Sequence, residues 1–76
     1  MPDRRTLERE LQDLDAARDD LERRLRGARD RQRFAGEPDA RVQAVADERA
    51  VMMELDRLMT RTRAVEGQLL RLSGNS

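Results

Sequence analysis

Leucine recurs between residues 7 and 25 at intervals that alternate four and three: Leu7, Leu11, Leu14, Leu21 and Leu25, with Arg18 in the vacant place. On a helix of 3.6 residues per turn these five leucines fall within roughly 80° of the circumference, a narrow seam suited to one partner helix. Leu7, Leu14 and Leu21 read as d positions of a heptad and Leu11, Arg18 and Leu25 as a positions. A second and richer pattern occupies the other half of the chain. Val51, Met52, Leu55, Leu58, Met59, Val65, Leu69, Leu70 and Leu72 span an arc of roughly 160°, about twice what helix 1 offers in return. Val42 and Val45 read as the start of this seam, with the apolar direction drifting before Val51 as in a stutter. Met53 projects away from the stripe.

Between the two patterns lies FAGEPDA, Phe34 to Ala40. Pro38 inside a continuous helix would cost about 3 kcal/mol and Gly36 about 1 more, so a tight turn is favoured over a kink. Gly36 suits a left-handed residue closing helix 1, and Pro38 the first turn of helix 2. Asp3 suits an N-cap, its carboxylate facing free backbone N–H groups. The expected layout is one helical hairpin over residues 1–76, with helix 1 at about 4–34, a turn at 35–38, helix 2 at about 38–72 and a frayed tail at 73–76. Gly27 and Gly67 lie inside the helices, where close helix approach or an exposed position would account for them.

Charge gives an independent reason to fold the chain back. Residues 1–22 carry four Arg and eight acids (−4), residues 23–35 six Arg and one acid (+5), residues 36–56 two Arg and six acids (−4), and residues 57–76 four Arg and one acid (+3). An antiparallel hairpin sets −4 beside +3 and +5 beside −4, whereas a parallel pair sets acid on acid. Each helix is also acidic at its start and basic at its end, which suits the helix dipole.

Composition narrows the function classes. The chain is 42% charged with net charge zero, has Phe34 as its one aromatic, and lacks Trp, Tyr, His and Cys. Dense charge with few aromatics is a mark of disorder, but the periodic apolar positions and strong helix formers point to an ordered, wholly helical chain. Without Cys or His there is no disulfide framework, thiolate nucleophile, imidazole base or ordinary metal site. Every basic residue is Arg, as GC-rich codon usage would give, so lysine chemistry is excluded. The charged N-terminal stretch does not read as a signal peptide, and no apolar run approaches a membrane span. The expectation is a bacterial, cytoplasmic, non-enzymatic protein without cofactor, membrane or small-molecule substrate.

At 76 residues the hairpin can bury only a thin core. The wide arc of helix 2 therefore becomes the expected partner-binding face, with all nine of its apolar residues assigned to it. Dimerisation into a four-helix bundle is the first expectation, because two-fold homodimers are the commonest assembly. Docking on a larger protein is the other. Arg18 is expected to fix register, its stem packed and its head reaching Glu22 or an acid on helix 2.

The alternative function class uses charge. Arg23, Arg24, Arg26, Arg29 and Arg33 form a basic stretch that could grip phosphates or an acidic partner. The zero net charge and the lack of interleaved aromatics disfavour nucleic acid. Glu37 and Asp39 are the carboxylates of the turn. With the LERELQDL opening and the GEPD turn, the chain resembles the N-terminal coiled coil of the transcript-cleavage factors of bacterial RNA polymerase. That resemblance implies a hairpin entering the polymerase and tip acids, here Glu37 and Asp39, that help hold a catalytic metal. The family's longer tip motif and second globular domain are absent, and capping is the other role open to Asp39. The arginine-rich helices are also similar to those of chorismate mutase, but with no lysine and no third helix that site cannot be assembled.

Overall fold

A computed structural model describes residues 2–74 of the chain, as two helices: α1, Arg4–Phe34, and α2, Pro38–Gly74. They pack against each other as a slender hairpin of 59 × 16 × 15 Å, long in one direction and nearly equal in the other two. The start of α1 and the end of α2 meet where the Arg4 Nη2 donates to Ser73 Oγ at 3.0 Å.

Each helix boundary follows from local chemistry. Asp3 takes an extended backbone (φ −84°, ψ 171°) and its Oδ1 accepts the Thr6 N–H at 2.8 Å, satisfying one of the free donors of the first turn. That backbone hydrogen bond, with a smaller side-chain contribution from Thr6, holds the Asp3 carboxyl below its ordinary pKa. At the far end Ala35 is extended (φ −69°, ψ 122°) while its N–H still donates to Arg31 O at 2.9 Å. Pro38 is the first residue of α2 and Asp39 lies in its first turn. The Arg41 guanidinium straps the turn by donating to Ala35 O at 3.3 Å.

Three sequence expectations need correction. Gly36 is not left-handed, since no described residue has positive φ. The extended Ala35 makes the exit instead, and the residue before a proline is itself driven out of the helical region. Helix 2 continues through Ser73 and Gly74, so half of the expected frayed tail is helical; Asn75 and Ser76 lie outside the described residues.

The third correction concerns the seam of α2, which has no stutter. Ala44, Glu48, Val51, Leu55, Leu58, Thr62, Val65 and Leu69 keep the alternating interval throughout, and each is buried or half-buried. Val42 is exposed and belongs elsewhere. On α1 the seam likewise runs on beyond Leu25 through buried Ala28 and half-buried Gln32. Near the turn the two helices therefore meet through Ala28 and Ala44, both with almost no exposed surface. A polar layer adjoins them: Gln32 Nε2 donates to Glu48 Oε2 at 2.5 Å and, more weakly, to Ala44 O at 3.5 Å. Farther from the turn the fully buried side chains are larger, with Leu7 and Val65 the biggest. Burying such a side chain contributes about 1.5–3 kcal/mol. Thr62 fits among them because its hydroxyl donates to Leu58 O at 2.9 Å.

Close helix approach does not explain the interior glycines. A Cβ on Gly67 would meet nothing within 4 Å, and one on Gly27 only the flexible end of Arg31 at 3.7 Å.

Candidate interaction surface

From Ala44 to Leu69 the a and d positions of α2 are covered by α1, so any further contact along this stretch depends on the positions that flank them. Those flanks differ in kind. On one side stand Glu10, Arg24 and Arg31 of α1 and Asp47, Glu54 and Arg61 of α2, all at g of the heptad. They join as Glu10–Arg61, Arg24–Glu54 at 3.7 Å and Arg31–Asp47 at 3.3 Å. The first is bidentate, with Arg61 Nε donating to Glu10 Oε1 at 2.6 Å and Nη2 to Oε2 at 2.9 Å. That two-pronged hydrogen bond holds Glu10 below its ordinary pKa and raises that of Arg61. These pairs join the charge blocks that an antiparallel fold brings together.

On the other side the e positions of α1 are Glu8, Asp15, Glu22 and Arg29, while those of α2 are Val45, Met52, Met59 and Glu66. Carboxylates have no cation to meet on valine and methionine. Glu22 turns back along its own helix to accept from Arg18 Nε at 3.0 Å, and Arg29 reaches the seam acid Glu48 at 4.0 Å. The methionines are left 46% and 42% exposed. One helical step farther out lie Val42 and Leu70, at 69% and 73%. Val42, Val45, Ala46, Ala50 and Met53 line one shallow groove, with Arg41 and Arg49 at its sides. Met53, isolated in the sequence pattern, has apolar neighbours here.

The nine apolar residues assigned from sequence thus divide in two. Val51 and Val65 are buried against α1, and Leu55, Leu58 and Leu69 are half-buried there. Met52, Met59, Leu70 and Leu72 stay exposed. The structure does not gather all nine onto one free face. Val42 adds to the exposed set and half-buried Val45 borders it, and their spacing to Met52 and Met59 was the available signal.

The charged candidates are placed as follows. Arg18 occupies its seam position with its side chain 54% exposed, and its partner is Glu22 rather than an acid on α2. Of the basic stretch, Arg23 pairs with Asp20 at 3.6 Å, Arg24 with Glu54 and Arg29 with Glu48. Arg26 and Arg33 are exposed. Glu37 and Asp39 are exposed at the tip, close to Phe34, which is 77% exposed. Among the described residues, no group of three or more His, Cys, Asp or Glu is placed to hold a metal ion. No helix among them is long and apolar enough to cross a membrane.

No protein family, curated protein or solved structure matches this chain.

Proposed function

We propose that the chain is a small non-enzymatic protein–protein interaction module, an adaptor, regulator or inhibitor that binds through the exposed apolar side of α2. One observation carries this reading: Val42, Met52, Met59 and Leu70 remain uncovered after α1 has taken the a/d seam from Ala44 to Leu69. In a molecule that is 42% charged, apolar side chains kept together along one helix are the feature with recognition value. The occupant is a second copy of the hairpin, a larger protein, or each in turn. Much of the basic stretch is engaged in ion pairs with acids of α1 and α2, which favours the apolar side over the charged one as the binding element.

The experiment is a triple substitution, Met52→Glu, Met59→Glu and Leu70→Glu, read by circular dichroism, by sedimentation equilibrium and by capture of binding proteins from the native host. The reading expects unchanged helix content with loss of self-association, of capture, or of both. A triple variant that associates and captures as the wild type does would overturn it.

A further inference from the structure

The shallow groove on α2 near the turn has an apolar floor and a cationic rim. Val42, Val45, Ala46, Ala50 and Met53 form the floor, and Arg41 and Arg49 stand at its sides. From Arg41 to Met53 the groove runs about 18 Å at 1.5 Å per residue, the length of a helix of about three turns.

The rim arginines differ from those of the g flank, where Arg24, Arg31 and Arg61 each hold an acid of the other helix. Three and four places from Arg49 stand Val45, Ala46, Met52 and Met53, so its own helix offers it no carboxylate at pairing distance. Arg49 makes no ion pair with any described residue. Arg41 reaches a backbone oxygen, Ala35 O, and no carboxylate. The neighbouring e and b positions of α1 add Arg26, Arg29 and Arg33 on the same side of the hairpin. Arg29 has Glu48, whereas Arg26 and Arg33 are exposed and form no ion pair with any described residue.

The acids of this stretch are accounted for. Asp47, Glu48 and Glu54 are each taken by an arginine of α1. Asp39, one turn before Val42, and Asp56, one turn beyond Met53, are exposed and outside the ion pairs. From Asp39 to Asp56 the unpaired charges of α2 therefore run acid, arginine, arginine, acid. An anionic membrane or a nucleic-acid backbone presents one sign throughout and meets both of these acids with repulsion. A helix with one apolar side, carboxylates near its middle and basic ends satisfies every position. Arg41 and Arg49 are about 12 Å apart along the axis, which matches acids two turns apart on such a helix. A guanidinium takes a carboxylate in a bidentate hydrogen bond, which fixes the register as well as the sign.

Resting on the helix-face reading above, we propose that this groove docks an amphipathic helix of another protein. The carboxylates of that helix pair with Arg41 and Arg49, and its apolar side covers Val42, Val45, Ala46, Ala50 and Met53.

Fluorescence anisotropy with three synthetic helical peptides tests it. Each is about twenty residues long, enough to hold helix in isolation, with the same apolar stripe and basic ends. They differ only in a central pair of residues two turns apart: Glu, Gln or Arg. The Glu peptide should bind the wild-type hairpin about tenfold tighter than the Gln peptide, and the Arg peptide should bind weakest. Arg49→Glu should abolish that preference with helix content unchanged, because Arg49 holds no ion pair within the fold. Added salt should shrink the preference. Equal affinity for the three peptides, with binding lost in the Val42→Glu, Met53→Glu variant, overturns the acidic assignment and leaves the helix-face reading standing. Binding of none of them overturns the docked helix. Tighter binding to phosphatidylglycerol vesicles or to duplex DNA than to the Glu peptide overturns it in favour of a polyanion. Self-association abolished by Val42→Glu, Met53→Glu gives the groove to a second copy and overturns it too. The helix-face reading itself falls only if the triple Glu substitution above leaves association and capture unaltered.

Discussion

The two flanks of the hairpin are built from the same heptad and end in opposite chemistry. The g flank is closed by ion pairs, Glu10–Arg61, Arg24–Glu54 and Arg31–Asp47, each joining the two helices. The e flank has Glu8, Asp15, Glu22 and Arg29 on α1 facing Val45, Met52, Met59 and Glu66 on α2, and no cross-helix pair closes it at the methionines. Exposed ion pairs of this kind set direction and register more than they add stability. The lesson is a division of labour. The charged flank specifies how the chain folds on itself, and the apolar flank is what the fold leaves uncovered, the side proposed above to bind another molecule.

Breaking the apolar flank should have the largest effect on assembly. Met52→Glu with Met59→Glu is expected to weaken association by at least a hundredfold with helix content intact, measured by sedimentation equilibrium and circular dichroism. Breaking the seam between the flanks should act on folding instead. Leu21 is buried, and Leu21→Ala is expected to cost about 2–5 kcal/mol in chemical unfolding, a large share of what a two-helix core supplies. A small change there would mean that α1 and α2 hold together by some other contact.

Smaller effects sharpen the contrast. Gly67 sits on neither flank and a Cβ there meets nothing, so Gly67→Ala should stabilise the fold by up to about 1 kcal/mol in the same unfolding assay, with association unaltered. On the charged flank, Glu10 is held below its ordinary pKa by Arg61. Its contribution is therefore fully present above the ordinary glutamate range and is lost as pH falls through that range to the lowered folded value. Asp3, also lowered by its Thr6 hydrogen bond, acts in the same direction. Glu10→Gln should reduce the drop in melting temperature between pH 6 and about pH 3. An identical drop in both proteins would show that the Glu10–Arg61 pair contributes nothing to the fold.

How much of this was legible in the sequence depended on residue type. The helices and their turn could be read because leucine spacing and Pro38 are strong signals with few rival explanations. The antiparallel direction was legible in the four charge blocks, and the pairs Arg24–Glu54 and Glu10–Arg61 join the blocks expected to meet. The seam near the turn was not legible. Ala44 and Glu48 fill its positions, and neither reads as a core residue, whereas Val42 does and is exposed. Gly36 suggested a left-handed exit, but Pro38 already constrains the preceding residue and Ala35 makes the turn in extended geometry. The candidate surface was only half visible. A wide apolar arc was evident on α2, but the share that α1 would cover depends on which neighbours sit at e and g. Charges at Arg49, Asp56, Arg63 and Glu66 also hid how Val42 and Leu70 continue the exposed row of Met52 and Met59.

Sedimentation equilibrium with capture from the native host, run on the wild-type chain beside the Met52→Glu, Met59→Glu variant, tests the central claim most directly. The expected result is a wild-type chain that exceeds the 8.8 kDa of one copy, captures a host protein, or both, and a variant that does neither, at equal helix content. A variant that associates and captures as the wild type does would contradict the assignment of this flank to partner binding.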